Sequence, residues 1–208
     1  MTRSARLWVV LVANVALVGA LLGVGVVAHS VGVWAEGADY LGDAAGIGVA
    51  ILATRLETPT AHRPGGFPLA TRHAALVNAG WLLLLTVLVA AGAIDRLVRG
   101  VHDVRGLPVL VVSGVAAAVM AAGAWLLGGD EAIPDEDEGG RLSIRAVLLD
   151  TAADAAAAGG VAAAGAVIFV SGGLYWLDPT VALVISVIVG FHAVQLLMRI
   201  QVSLRRGT

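Results

Sequence analysis

The chain has 208 residues, of which 59% are hydrophobic and 13% charged, with a mean hydropathy of +0.91. A soluble domain carries about 25% charged residues, so this composition exceeds what one aqueous core can hide and points to lipid as the solvent. The absence of cysteine excludes both a disulfide framework and thiolate metal ligation. A net charge of −2 with no basic patch gives no reason to expect a nucleic-acid partner.

A helix needs about 20 apolar residues to span the hydrocarbon core, and six stretches of roughly that length, near 7–28, 33–54, 74–94, 107–127, 144–170 and 179–198, predict an all-α membrane protein with six transmembrane helices. The first stretch follows a short basic start, but its apolar run is longer than a signal core and no clear cleavage region follows it. It is read as a retained helix. Small-residue pairs, Gly42 with Gly46 on the second segment and Gly159 with Ala163 and Gly160 with Ala164 on the fifth, predict close helix approach there. The fifth and sixth segments meet at Tyr175, Trp176, Asp178 and Pro179, with aromatics suited to the interface and a proline suited to a helix start.

The 13 basic residues are all arginine, a usage that fits a GC-rich genome. With both termini in the cytoplasm, only Arg96, Arg99 and Arg105 fall on the outer side, and the remainder lie inside. Both termini are therefore expected to be cytoplasmic. The stretch GGDEAIPDEDEGG from Gly128 to Gly140 then becomes a cytoplasmic acidic loop, read as a solvated linker or as a weak cation-collecting tether.

Acids inside spans carry the chemistry. The second segment holds Glu36, Asp39 and Asp43; the fifth holds Asp150 and Asp154. Each Asp at a helix centre costs about 2.5–3.5 kcal/mol on insertion, and four ionised ones approach ~10–14 kcal/mol by addition. Such residues need to be neutralised, hydrated or paired. Asp39 and Asp43 are four apart and share a helix face, as do Asp150 and Asp154. Antiparallel packing of the two segments can bring both pairs to similar depth, where no basic residue is available, so a cation could supply the missing charge. A proton relay without metal is the competing reading. Glu36 fits structural hydrogen bonding as well as ligation, and His192 in the sixth segment is expected to be a packed, hydrogen-bonded histidine.

These residues carry a resemblance to the cation diffusion facilitator family, whose second-helix signature S-x-x-x-x-A-(D/E)-x-x-(H/D)-x-x-x-D is matched by Ser30, Ala35, Glu36, Asp39 and Asp43. The fifth-helix pattern N-x-R-x-x-x-x-(H/D)-x-x-x-D appears as Ser143, Arg145, Asp150 and Asp154, with serine in place of asparagine. The family's W-x-D-P turn appears as Trp176, Asp178 and Pro179, and HRPGGFPLATRHAALVN from His62 to Asn78 is similar to its cytoplasmic link with an eroded core. The resemblance covers essentially the whole chain.

It implies a divalent-metal:proton antiporter in a prokaryotic cell membrane rather than an enzyme. Metal would sit on Asp39, Asp43, Asp150 and Asp154, with Glu36 in support, and the protein would work as a homodimer with no prosthetic group. Zinc ranks first as cargo. Relatives that prefer zinc usually carry a histidine in this set, whereas an all-oxygen set leans toward harder ions such as Mn2+, so Mn2+, Fe2+, Co2+ and Cd2+ stay open. Family members usually continue into a cytoplasmic metal-binding domain after the sixth helix. Residues 1–208 are expected to form a single transmembrane domain without it, so a non-transporting partner subunit is a further alternative.

Overall fold

A computed structural model of the chain describes residues 3–56, 69–101, 103–129 and 138–205. Six helices follow in chain order: α1 (Arg3–Ala28), α2 (Val31–Leu56), α3 (Leu69–Arg99), α4 (Gly106–Gly129), α5 (Glu138–Ser171) and α6 (Leu177–Arg205). Among the described residues there is no strand. The predicted all-α membrane architecture is what the chain adopts. Each helix begins or ends a few residues beyond its apolar stretch, because helical hydrogen bonding continues after hydrophobicity stops.

Among the described residues, four helices contain stretches long and apolar enough to cross a membrane: Ala79–Arg99, Gly106–Trp125, Thr151–Ser171 and Leu177–Gln195. A shorter apolar stretch, Val15–Ala28, lies in α1. In α2 the apolar run is interrupted by Glu36, Asp39 and Asp43, whose charges lower its hydropathy at the very place where the chemistry is expected.

The helices pair unevenly. α4 packs most extensively on α5, α3 on α6, and α1 on α2, while α2 meets α5 only briefly. Backbone clearance accounts for the tightest contact. A Cβ on Gly106 would lie 2.5 Å from the Gly165 carbonyl oxygen and from the Phe169 nitrogen, and one on Gly165 would lie 2.7 Å from the Leu110 nitrogen. Only hydrogen fits at either position, so the α4 and α5 backbones touch. The close approach predicted at Gly42 is made to α3: a Cβ there would meet Leu82 at 2.4 Å. Likewise Gly160 of α5 approaches Val181 of α6. Small-residue spacing marks a close approach but does not name the partner.

The links α1–α2, α3–α4 and α5–α6 lie together at one end of the bundle, tied by hydrogen bonds. At the end of α1, Ser30 N–H donates to the Gly25 carbonyl at 3.1 Å and His29 N–H to the Val26 carbonyl at 3.3 Å. This is a Schellman closure with His29, at φ 54°, in the left-handed position usually given to glycine. Ser30 then caps α2, its hydroxyl oxygen accepting the Val33 N–H at 3.0 Å.

The remaining free amides at the start of α2 go to a residue on another helix. Asp178, in the first turn of α6 and 2% exposed, accepts Val31 N–H at 2.7 Å and Gly32 N–H at 3.1 Å, and the Ser30 hydroxyl at 2.5 Å. Arg96 of α3 stands 4.0 Å from the Asp178 carboxylate and donates to the His29 carbonyl. Arg105, just before α4, donates its N–H to the Ala28 carbonyl at 3.0 Å.

Replacing Asp178 with alanine leaves two amides and a hydroxyl unpaired in a buried place, where each orphaned donor costs about 1–3 kcal/mol. Asp178→Ala should therefore melt well below the wild type in detergent micelles, with Asp178→Asn, which keeps one acceptor oxygen, in between. An unchanged melting temperature in Asp178→Ala would refute this role.

Candidate cation site

Helix α2 carries three acids within two turns and gives them different neighbours. Glu36 lies against α4. It is 2% exposed, and its Oε2 accepts the hydroxyl of Ser113, itself fully buried, at 2.5 Å. Its Oε1 has no hydrogen-bond partner among the described residues. The carboxyl therefore ties α2 to α4 through one oxygen and leaves the other in the bundle interior.

Asp39, three residues on, is half-buried. It lines a small pocket between α2, α3 and α6, together with Leu82, Thr86, Ile185, Ser186 and Val189. Thr86 donates its hydroxyl to the Leu82 carbonyl at 2.8 Å, the usual helical back-bond. The Ser186 hydroxyl is buried and has no partner among the described residues.

Asp43 follows on α2 one turn further from the linked end. On α5, Asp154 is half-buried and Asp150 lies one turn before it. The side chains of Asp43 and Asp150 lie outside the described residues, so the predicted four-carboxylate cluster is seen only through Asp39 and Asp154. Among the described residues, no group of three or more His, Asp or Glu side chains stands ready to hold a metal. The two helices that carry the pairs run alongside each other over a short stretch. The acidic stretch 130–137, residues 62–68 of the link that runs from His62 to Asn78, and His102 also lie outside the described residues.

His192 departs from its expectation. It is exposed on the outer surface of α6, with its ring 6.2 Å from that of Phe191 and tilted by 52°. A helix position fixes spacing along the chain but not which face meets the bundle, and the nearly uniform hydrophobicity of α6 gave no such cue.

Ser113, Thr86 and Ser186 were not singled out from the sequence. Each is a lone hydroxyl in a long apolar run, as in VLVVSGVAAA and LVISVIVG. Inside a membrane such a group needs a partner, and that need was the available signal.

Glu36→Gln keeps a carbonyl oxygen for the Ser113 hydroxyl, whereas Glu36→Leu orphans it at a cost of about 1–3 kcal/mol. In detergent, the glutamine variant should melt near the wild type and the leucine variant clearly lower. Equal melting of the two variants would argue against the α2–α4 tie.

Comparison with known proteins adds a separate line of information. A family model described as the cation efflux transmembrane domain matches residues 7–204. A protein named zinc transporter ZitB from Yersinia pseudotuberculosis serotype I (strain IP32953) is 28% identical over 185 residues, covering 82% of this chain and 55% of that protein. Its namesake from Yersinia pestis is 28% identical over 166 residues, covering 77% and 49% respectively. The chain thus spans about half the length of the curated relatives it matches.

Proposed function

Because the chain belongs to the cation efflux family through its transmembrane domain, we propose that it carries a divalent transition-metal cation, zinc foremost, out of the cytoplasm in exchange for protons. The observation that carries this reading is the pair of four-spaced carboxylates on α2 and α5, set within a family match that runs nearly the length of the chain. The relatives' names support zinc as the cargo.

Asp39, Asp43, Asp150 and Asp154 are the ligands in this reading, and Glu36 supports α2 from the α4 side. Four carboxyls gathered in a low-dielectric interior cannot all be ionised without a cation, so their titrations are coupled. A divalent ion arriving from one side displaces their protons, and protons arriving from the other side displace the ion. An inward proton gradient then drives metal outward. Both termini are placed in the cytoplasm on the arginine distribution, and two copies associate through their membrane helices.

One observation favours a second cargo class. All four ligands are oxygen donors, which suit harder ions such as Mn2+ better than imidazole-containing sets do. Uptake of Zn2+, Cd2+, Mn2+, Fe2+ and Co2+ into liposomes containing the purified protein, under a pH gradient, decides between the two. Proton movement without any divalent ion would instead mark a relay, and no transport by the protein alone would mark a partner subunit.

In the same liposomes, Asp43→Ala and Asp154→Ala should each bring divalent uptake to background while the protein stays folded and inserted. Wild-type rates in either variant would refute the ligand assignment. Asp150→His exchanges a charged oxygen donor for a neutral nitrogen donor, which zinc gains from more than manganese does. Competition uptake should shift toward zinc; an unchanged ratio would mean that selectivity is set outside this ligand set.

A further inference from the structure

The pocket that Asp39 lines is bounded by α3 and α6 as well as α2, and the reading above assigns those two helices no part in handling cargo. The polar side chains among its lining residues all carry oxygen: Asp39, Thr86 and Ser186. Thr86 has spent its proton on the Leu82 carbonyl, so what remains of it is acceptor capacity.

Ser186 is the unexplained member. Serines inside helices normally return their hydroxyl to the carbonyl one turn back, as Thr86 does. Ser186 is 95% buried by its 5% exposure, lines the pocket, and has no hydrogen-bond partner among the described residues. A buried hydroxyl without a partner calls for a ligand, an ion or a water. The packing at this level is close: a Cβ on Gly190, one turn after Ser186, would stand 3.2 Å from the Thr86 methyl. Glycine there lets α3 and α6 bring their hydroxyl-bearing turns together.

The depth of the pocket gives it a place in the path. Asp39 is eight residues from the start of α2, about 12 Å along the axis at 1.5 Å per residue, and Asp43 lies about 6 Å deeper. The pocket therefore flanks the expected ligand set on the side of the linked end.

We propose that this pocket is a cation station that shares Asp39 with the expected ligand set, in which Ser186 and Thr86 supply neutral oxygen ligands beside the Asp39 carboxylate and replace part of the ion's water shell. The inference rests on Asp39 lying on the cation path, as the preceding reading has it, and extends the cargo-handling residues to α3 and α6. Neutral hydroxyls alter how tightly the ion is held without altering how many protons the carboxylates exchange for it.

The chain has no cysteine, so Ser186→Cys introduces a single thiol. In reconstituted protein that thiol should react with a small water-soluble methanethiosulfonate, Cd2+ should slow the reaction, and Asp39→Asn in the same protein should abolish that protection. Ser186→Ala, which keeps the packing, should raise the KM for Mn2+ uptake on the order of tenfold, the lower end of the cost of losing a supporting group at a metal site. The maximal rate, melting temperature and pH profile should stay as in the wild type, and Ser186→Thr should restore the KM.

A thiol that never reacts, a reaction equally fast with and without Cd2+, or protection that survives Asp39→Asn would each overturn the proposal. The outcomes separate it from its premise. Wild-type transport by Asp39→Asn would sink the site assignment as a whole. Loss of transport in Asp39→Asn with an unchanged KM in Ser186→Ala would sink the station alone.

Discussion

Every helix start leaves four amides without a helical acceptor, and in a bilayer such groups cannot turn to bulk water. At the start of α2 all four are answered: Ser30 N–H by the end of α1, Val33 N–H by the Ser30 hydroxyl, and Val31 and Gly32 N–H by the Asp178 carboxylate of α6. The charge that does this is balanced by the nearby Arg96 of α3 and by the positive end of α2 itself. The acid-bearing helix is thus set in register against α1, α3 and α6 by directional bonds, before any side-chain packing is counted. The position of Asp39 opposite Thr86 and Ser186, and that of Glu36 opposite Ser113, both follow from where α2 begins.

The remainder of the bundle relies on shape. Gly106 and Gly165 let α4 and α5 meet at backbone contact, and Gly42 accommodates Leu82 between α2 and α3. Dispersion rewards such closeness where the hydrophobic effect between helices is absent. Among the described residues, a set of directional bonds ties the linked end, and close steric fit joins these helix bodies, where Glu36 and Ser113 add a hydrogen bond between α2 and α4. The outward faces stay apolar, with Val111, Val115 and Trp125 of α4 and Val187 and Phe191 of α6 exposed, as a lipid-facing surface requires.

Much of this was legible in the sequence, for reasons particular residues make plain. Six apolar stretches gave six helices because span length is set by the bilayer. Ser30 and Asp178 both stood out in recognisable local patterns, yet their hydrogen bond joins positions 148 apart, and no local pattern encodes such a pairing. Gly42 announced a tight contact but not that α3 would fill it. The acids on α2 and α5 were conspicuous because lipid makes them costly, whereas Ser113 and Ser186 were overlooked because a lone hydroxyl is cheap enough to pass for background. His192 was assigned to the interior from its place in a span, but a helix uniform in hydrophobicity has no marked inner face.

The tied end of α2 has a mechanical consequence. A rod held at one end can change direction only by swinging about that end, and its points move in proportion to their distance from it. Asp39 and Asp43 are carried on the same rod at different radii, so any swing displaces Asp43 farther than Asp39. The two carboxylates, chemically alike and one turn apart, are mechanically unequal: at about 12 and 18 Å from the tied end, the farther moves about half as far again as the nearer in any swing.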